Sequence, residues 1–131
     1  MVDTNKKQVK VTLQDLINKK LQKNDNKRFN KSIYVEKIEG ELVFEIPTFD
    51  ELLEYSDEME TRNSKGVKQM YKKLCYDTCK MLHDKELHKA YGIVEPYDII
   101  DFLFYDIDIM NVGEAISEAR SPKKVTETVK K

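Results

Sequence analysis

The sequence predicts a small, mostly helical α+β domain in which one antiparallel β-hairpin packs on a bundle of about five helices. Three observations carry that expectation. Apolar residues alternate between Ser32 and Ile46, the period of strands. Before and after that segment they recur every three or four residues, the period of helices. The 131 residues, 40% hydrophobic and 36% charged, suffice for one modest core and hardly for two.

Thr12 with Asp15 has the capping-box pattern, and Leu13, Leu16, Ile17 and Leu21 follow at helical spacing. This first helix has a narrow apolar face and belongs to a basic arm over residues 1–31. A globular domain is expected over 32–120 and a disordered tail over 121–131. Around Glu39-Gly40, a two-residue turn would pair Ile33 with Ile46, Val35 with Phe44 and Lys37 with Leu42. That register gathers the apolar residues of both strands on one face, which must pack on helices because an isolated hairpin is marginal in water.

Pro47 stops the second strand, and Thr48 with Glu51 caps a short helix carrying Phe49, Leu52, Leu53 and Tyr55. A charged loop runs from Asp57 to Ser64. Ser64 is then expected to cap a long central helix with the stripe Val67, Met70, Tyr71, Leu74, Thr78, Met81 and Leu82, about five turns on one face. Lys85 to Tyr91 reads as a short helix ended by a left-handed Gly92. Pro96 opens a helix over Tyr97 to Ile107, with Ile99, Ile100, Leu103 and Ile107 as its stripe and Phe102, Phe104 and Tyr105 widening it. A final helical piece holds Met110, Val112, Ala115, Ile116 and Ala119.

Charge and composition exclude several functions. With 23 basic and 24 acidic residues the molecule has no net field toward nucleic acid or an anionic membrane. The charges are nonetheless blocked: nine basic against three acidic over 1–31, two against ten over 32–62, seven against three over 63–92, one against seven over 93–120. No apolar run reaches the roughly 18 residues of a membrane span, and no secretion signal is evident, so a cytoplasmic protein with reduced thiols is expected.

The sharpest chemical grouping is Cys75, Cys79 and His83, at i, i+4 and i+8, with His88 shortly after. Thiolate and imidazole are zinc ligands, yet three residues so spaced drift about 40° per step around a helix, which favours a half-buried Cys75 and an exposed Cys79 and His83 over a metal site. Asp98, Asp101 and Asp108 share one face, read as solvated rather than cation-binding. The four glycines, at 40, 66, 92 and 113, build no phosphate loop, and no nucleophile sits beside a base, so neither a catalytic site nor a cofactor is expected. The basic arm supports an alternative, a small phage or bacterial regulator binding nucleic acid, but it lacks interleaved aromatics and a recognition helix. The aromatic flank remains. Tyr97, Phe102, Phe104, Tyr105 and Met110 are the candidate partner-binding residues, because a chain this size has few elements to cover a helix apolar on most sides.

Glu86-Leu87-His88-Lys89-Ala90-Tyr91-Gly92-Ile93, then Glu95-Pro96-Tyr97-Asp98-Ile99-Ile100-Asp101-Phe102-Leu103-Phe104 and Gly113-Glu114-Ala115-Ile116, resembles the C-terminal half of phage tail assembly chaperones. The type is that of contractile-tailed phages, prophages and phage-tail-like bacteriocins of Gram-positive bacteria. The resemblance covers residues 32–119 and is concentrated in 84–104. Two departures stand out: Lys80-Met81-Leu82-His83 replaces a proline-containing element, and Tyr105 to Val112 replaces a Leu-x-Gly-Glu turn. The resemblance implies a non-enzymatic holdase that coats the tape measure protein in the host cytoplasm, hands it to tail tube subunits and is absent from the finished particle. Homo-oligomerisation would be a second way to bury the aromatic flank.

Overall fold

The computed structural model describes residues 9–23, 26–58 and 63–120. The tail at 121–131 and part of the charged loop after Asp57 lie outside the described residues. In chain order the elements are α1 (Leu13–Lys19), β1 (Phe29–Val35), β2 (Gly40–Ile46), α2 (Phe49–Glu58), α3 (Ser64–Thr78), a 3-10 turn at Lys80–His83, α4 (Lys85–Ala90), a 3-10 turn at Pro96–Asp98, α5 (Ile99–Leu103) and α6 (Asp106–Glu118). The architecture is the expected mostly helical α+β arrangement, with one antiparallel hairpin against five helices and α1 on the arm.

The hairpin packs through the alternation seen in the sequence. Val35, Leu42, Phe44 and Ile46 are buried in one cluster with Leu74 of α3, Ile99 and Ile100 of α5, and Ile109, Val112 and Ile116 of α6. Its register differs by four residues from the one expected: Phe29 lies opposite Ile46, Lys31 opposite Phe44 and Ile33 opposite Leu42. An even shift keeps every side chain on its own face, so the apolar pattern cannot distinguish the two registers. The difference arises at the turn. Glu36 to Glu39 form a four-residue connection closed by Glu39 N–H on the Glu36 carbonyl at 3.0 Å, with Glu39 left-handed at φ 53°. Because β1 begins at Phe29, the folded body starts inside the segment expected to be arm.

Three further expectations are corrected. The cap of α3 is Asn63, whose side chain accepts Gly66 N–H at 2.9 Å, rather than Ser64. The helix stops at Thr78 because Cys79 turns extended (φ −115°, ψ 99°), and the 3-10 turn that follows buries Leu82 and leaves Met81 66% exposed. The helix expected over Tyr97 to Ile107 is two: Phe104 and Tyr105 are extended, and α6 starts afresh at Asp106.

Asp108 explains that last break. It sits at the third position of α6 and accepts Tyr105 N–H at 2.9 Å, satisfying a donor that the new helix start would leave unpaired. The same carboxylate accepts Glu36 N–H at 2.9 Å and Lys37 N–H at 3.1 Å from the hairpin turn. Asp108 is therefore buried, not part of a solvated acidic face. It sets both the position of α6 and the place where the hairpin turns.

Candidate functional site

The helix break divides the five aromatic and apolar candidates. Phe104 turns inward and is 3% exposed, so it is a core residue and not a partner contact. Phe102 and Tyr105, on either side of it, are about half exposed. Tyr97 and Met110 are half-buried. Ile107, expected in the core stripe, points outward at the second position of α6.

Phe102 does not stand alone. Its ring lies 5.5 Å from that of Tyr91, centroid to centroid, at the end of α4. Tyr91 reaches this place because α4 ends as its sequence predicts: Asp84 caps it through Glu86 N–H at 2.7 Å, and left-handed Gly92 lets Ile93 N–H reach the His88 carbonyl at 2.9 Å. Val94 is 90% exposed in the next connection. Tyr105 lies under the Lys37 ammonium, 5.6 Å from ring centre to nitrogen. Residues 91–107 thus expose Tyr91, Val94, Phe102, Tyr105 and Ile107, with the exposed acids Glu95, Asp98, Asp101 and Asp106 interspersed among them in sequence.

Tyr97 is engaged elsewhere. Asp77 of α3 accepts the Tyr55 hydroxyl at 2.6 Å, the Tyr97 hydroxyl at 3.2 Å and the Lys73 ammonium at 3.1 Å. Lys73 also donates to the Tyr97 hydroxyl at 3.2 Å and stands over both tyrosine rings. Burial, then Asp77, pushes the Tyr55 phenol above its ordinary value. Burial pulls the Lys73 ammonium down, but Tyr97 and Asp77 outweigh it and its pKa lies above the usual lysine value. A Tyr55 phenol so raised and an ammonium so held provide neither base nor nucleophile at neutral pH. The network fastens α2 and the Pro96 turn to α3. Sequence reading missed it, although Asp77 four residues after Lys73 is a helix-pairing signal.

A charged cleft of about 300 Å³ lies beside this network, lined by Arg28, Glu45, Glu51, Glu54, Lys73 and Asp77 among others. Arg28, Glu45, Glu51, Lys73 and Asp77 are paired among themselves. Arg28 Nε donates to Glu51 at 3.0 Å, its Nη2 makes a second bond to the same carboxylate, and Nη1 lies 3.9 Å from Glu45. Those Arg28 bonds, with the Thr48 backbone N–H, hold Glu51 down to about 2. The arm's arginine is thus committed to the body and less available for phosphate.

Cys75 and Cys79 are both buried, the latter against expectation, because the chain turns inward after Thr78. Burial raises both thiols above their ordinary range. The His83 ring stacks on Tyr76 at 4.4 Å and its Nε2 lies 2.7 Å from the Tyr76 carbonyl, while His88 Nε2 lies 2.6 Å from that of Leu82. His83 thus bonds a carbonyl in the last turn of α3, and His88 one in the 3-10 turn that follows. Among the described residues no group of three or more His, Cys, Asp or Glu could hold a metal ion, and no helix is long and apolar enough to cross a membrane.

A second, apolar groove of about 390 Å³ opens between α2, α3 and α6, lined by Phe49, Leu52, Leu53, Met70, Leu74 and Arg120 among others. Phe49 and Leu53 are exposed on its rim. Arg120 anchors one end, with Nε donating to the Pro47 carbonyl at 2.6 Å, Nη2 bonded to the Lys27 carbonyl, and its guanidinium over the Phe29 ring. Compared with protein-family models, with curated proteins and with solved structures, the chain matches none.

Proposed function

We propose that this protein is a non-catalytic tail assembly chaperone that binds the tape measure protein and keeps it soluble in the host cytoplasm while a phage tail or phage-tail-like particle is built. On this reading it gives its client up to the tail tube protein and is absent from the finished particle. The observation that supports it best is the exposed Tyr91–Phe102 pair, with Val94, Tyr105 and Ile107 also exposed in the same stretch of chain and acids interspersed among them. A reversible holdase needs this combination: apolar area for broad attachment, charge around it to keep the free protein soluble. The resemblance of residues 84–104 to such chaperones points the same way.

Co-expression with the tape measure protein encoded beside it tests the reading. A soluble complex is expected, and replacing Phe102 and Tyr105 by Asp should lose it while the chaperone itself stays folded. No complex and no gain in tape measure solubility would reject the proposal.

A further inference from the structure

Two complementary surfaces of this chain are left uncovered in the structure. The first is α1. Thr12 and Asp15 cap it reciprocally, at 3.1 and 3.0 Å, and Leu13, Leu16 and Ile17 fall on one side of it. None of its residues is buried; Leu13 is 74% exposed, and Leu16 and Ile17 53% each. A seven-residue helix is far below the roughly 12–15 residues at which an isolated helix becomes marginal in water, so this one needs a partner for its apolar side. The second surface is the apolar groove between α2, α3 and α6, which α1 of the same chain does not line.

Their charges match. The arm carries Lys10, Lys19, Lys20 and Lys23, and the groove's outer wall, α2, carries exposed Asp50 and Asp57 beside Phe49 and Leu53 and no basic residue. The arm is also rooted at the groove: Lys27 is held through its carbonyl by Arg120, itself a lining residue. The residues from Lys20 to Lys27, fully extended, reach about 26–29 Å, enough to bridge to a neighbouring molecule.

We infer that two copies of this chain exchange arms, the α1 of each lying in the α2–α3–α6 groove of the other. The contact is the same in both directions, so it closes as a two-fold dimer and does not propagate. Leu16 and Ile17 enter between Phe49, Leu53 and Met70, and Lys19 and Lys20 face Asp50 and Asp57. The inference is independent of the chaperone reading and would stand if that reading failed.

Sedimentation of the full chain over a range of concentrations tests it. The wild type should reach twice the chain's 15.5 kDa. Leu16→Glu in the arm and Leu53→Glu in the groove should each raise the dimer dissociation constant by about tenfold or more. Both sites are exposed, so neither change should disturb the fold, which circular dichroism can check. Mixing the two variants restores one intact arm–groove pair, and a mixed dimer tighter than either variant alone is expected. As a second measurement, Leu16→Cys chains mixed with Leu53→Cys chains should form an interchain disulfide. A wild type that stays monomeric overturns the inference. So does a chain carrying both cysteines that closes its disulfide within one molecule.

Discussion

Asp108 accepts the backbone N–H of Lys37 at 3.1 Å across 71 residues of sequence. With the bonds from Glu36 and Tyr105, one buried carboxylate holds three backbone donors at the meeting point of hairpin and final helix. Asp108→Ala should cost about 3 kcal/mol or more in urea unfolding, because it strands several donors, and Asp108→Asn, with one acceptor oxygen, should fall between. A loss below 1 kcal/mol for the alanine variant would show that water replaces the carboxylate.

Gly113 lets α6 lie directly on α3. A methyl group at this position would overlap Cγ and Cβ of Tyr71, atoms too near the backbone to swing aside. Gly113→Ala should therefore destabilise by about 1–3 kcal/mol, against the roughly 1 kcal/mol gain alanine brings to an unhindered helix. An alanine variant as stable as the wild type in thermal unfolding would contradict this close packing.

Glu51 makes stability depend on acid. Its folded pKa, about 2, lies below its ordinary value of 4.5, so its contribution is complete above 4.5 and is lost as pH falls toward 2. Glu51→Gln keeps the reach to Thr48 but weakens the bond to Arg28. The variant should be less stable at pH 7 by about 1 kcal/mol, the modest figure fitting a partly exposed pair. Unfolding midpoints of the two proteins should converge between pH 4.5 and 2; a constant difference would refute the assignment.

Neighbouring aromatics should respond oppositely. Phe104→Ala empties a core position and should cost about 3–5 kcal/mol. Phe102→Ala removes a half-exposed ring and should cost under about 1 kcal/mol, its effect appearing in client binding. Equal losses of stability from both would mean that the helix break does not separate them.

What could be read from the sequence follows the distance over which each signal acts. Helix ends capped within their own turn, by Thr12 with Asp15, Thr48 with Glu51, and Gly92, were legible, because donor and acceptor lie within a few residues. The break at Phe104 was not, since it depends on an aspartate that also serves a turn far away in the chain. The same holds for the hairpin register, where two alignments present identical faces and the Glu36–Glu39 turn, held by Asp108, separates them. Of the candidate site, exposed Phe102 and Tyr105 follow from an excess of apolar residues over covering elements. Periodicity alone could not show that Phe104 leaves that excess, because the extended pair Phe104–Tyr105 takes the chain off the helical period.

The clasp between residues 36–37 and 108 also bears on synthesis. Val35, Phe44 and Ile46 belong to a core whose other wall, Ile109, Val112 and Ile116, follows much later in the chain. At about 5–20 residues per second, a ribosome needs roughly 4–14 s between Ile46 and Ile116. During that interval the nascent hairpin has neither its capping carboxylate nor its covering helix. A chain arrested after Leu103 is therefore expected to be digested by protease as an unfolded polypeptide, so that productive folding of the hairpin core waits until α6 has been synthesised.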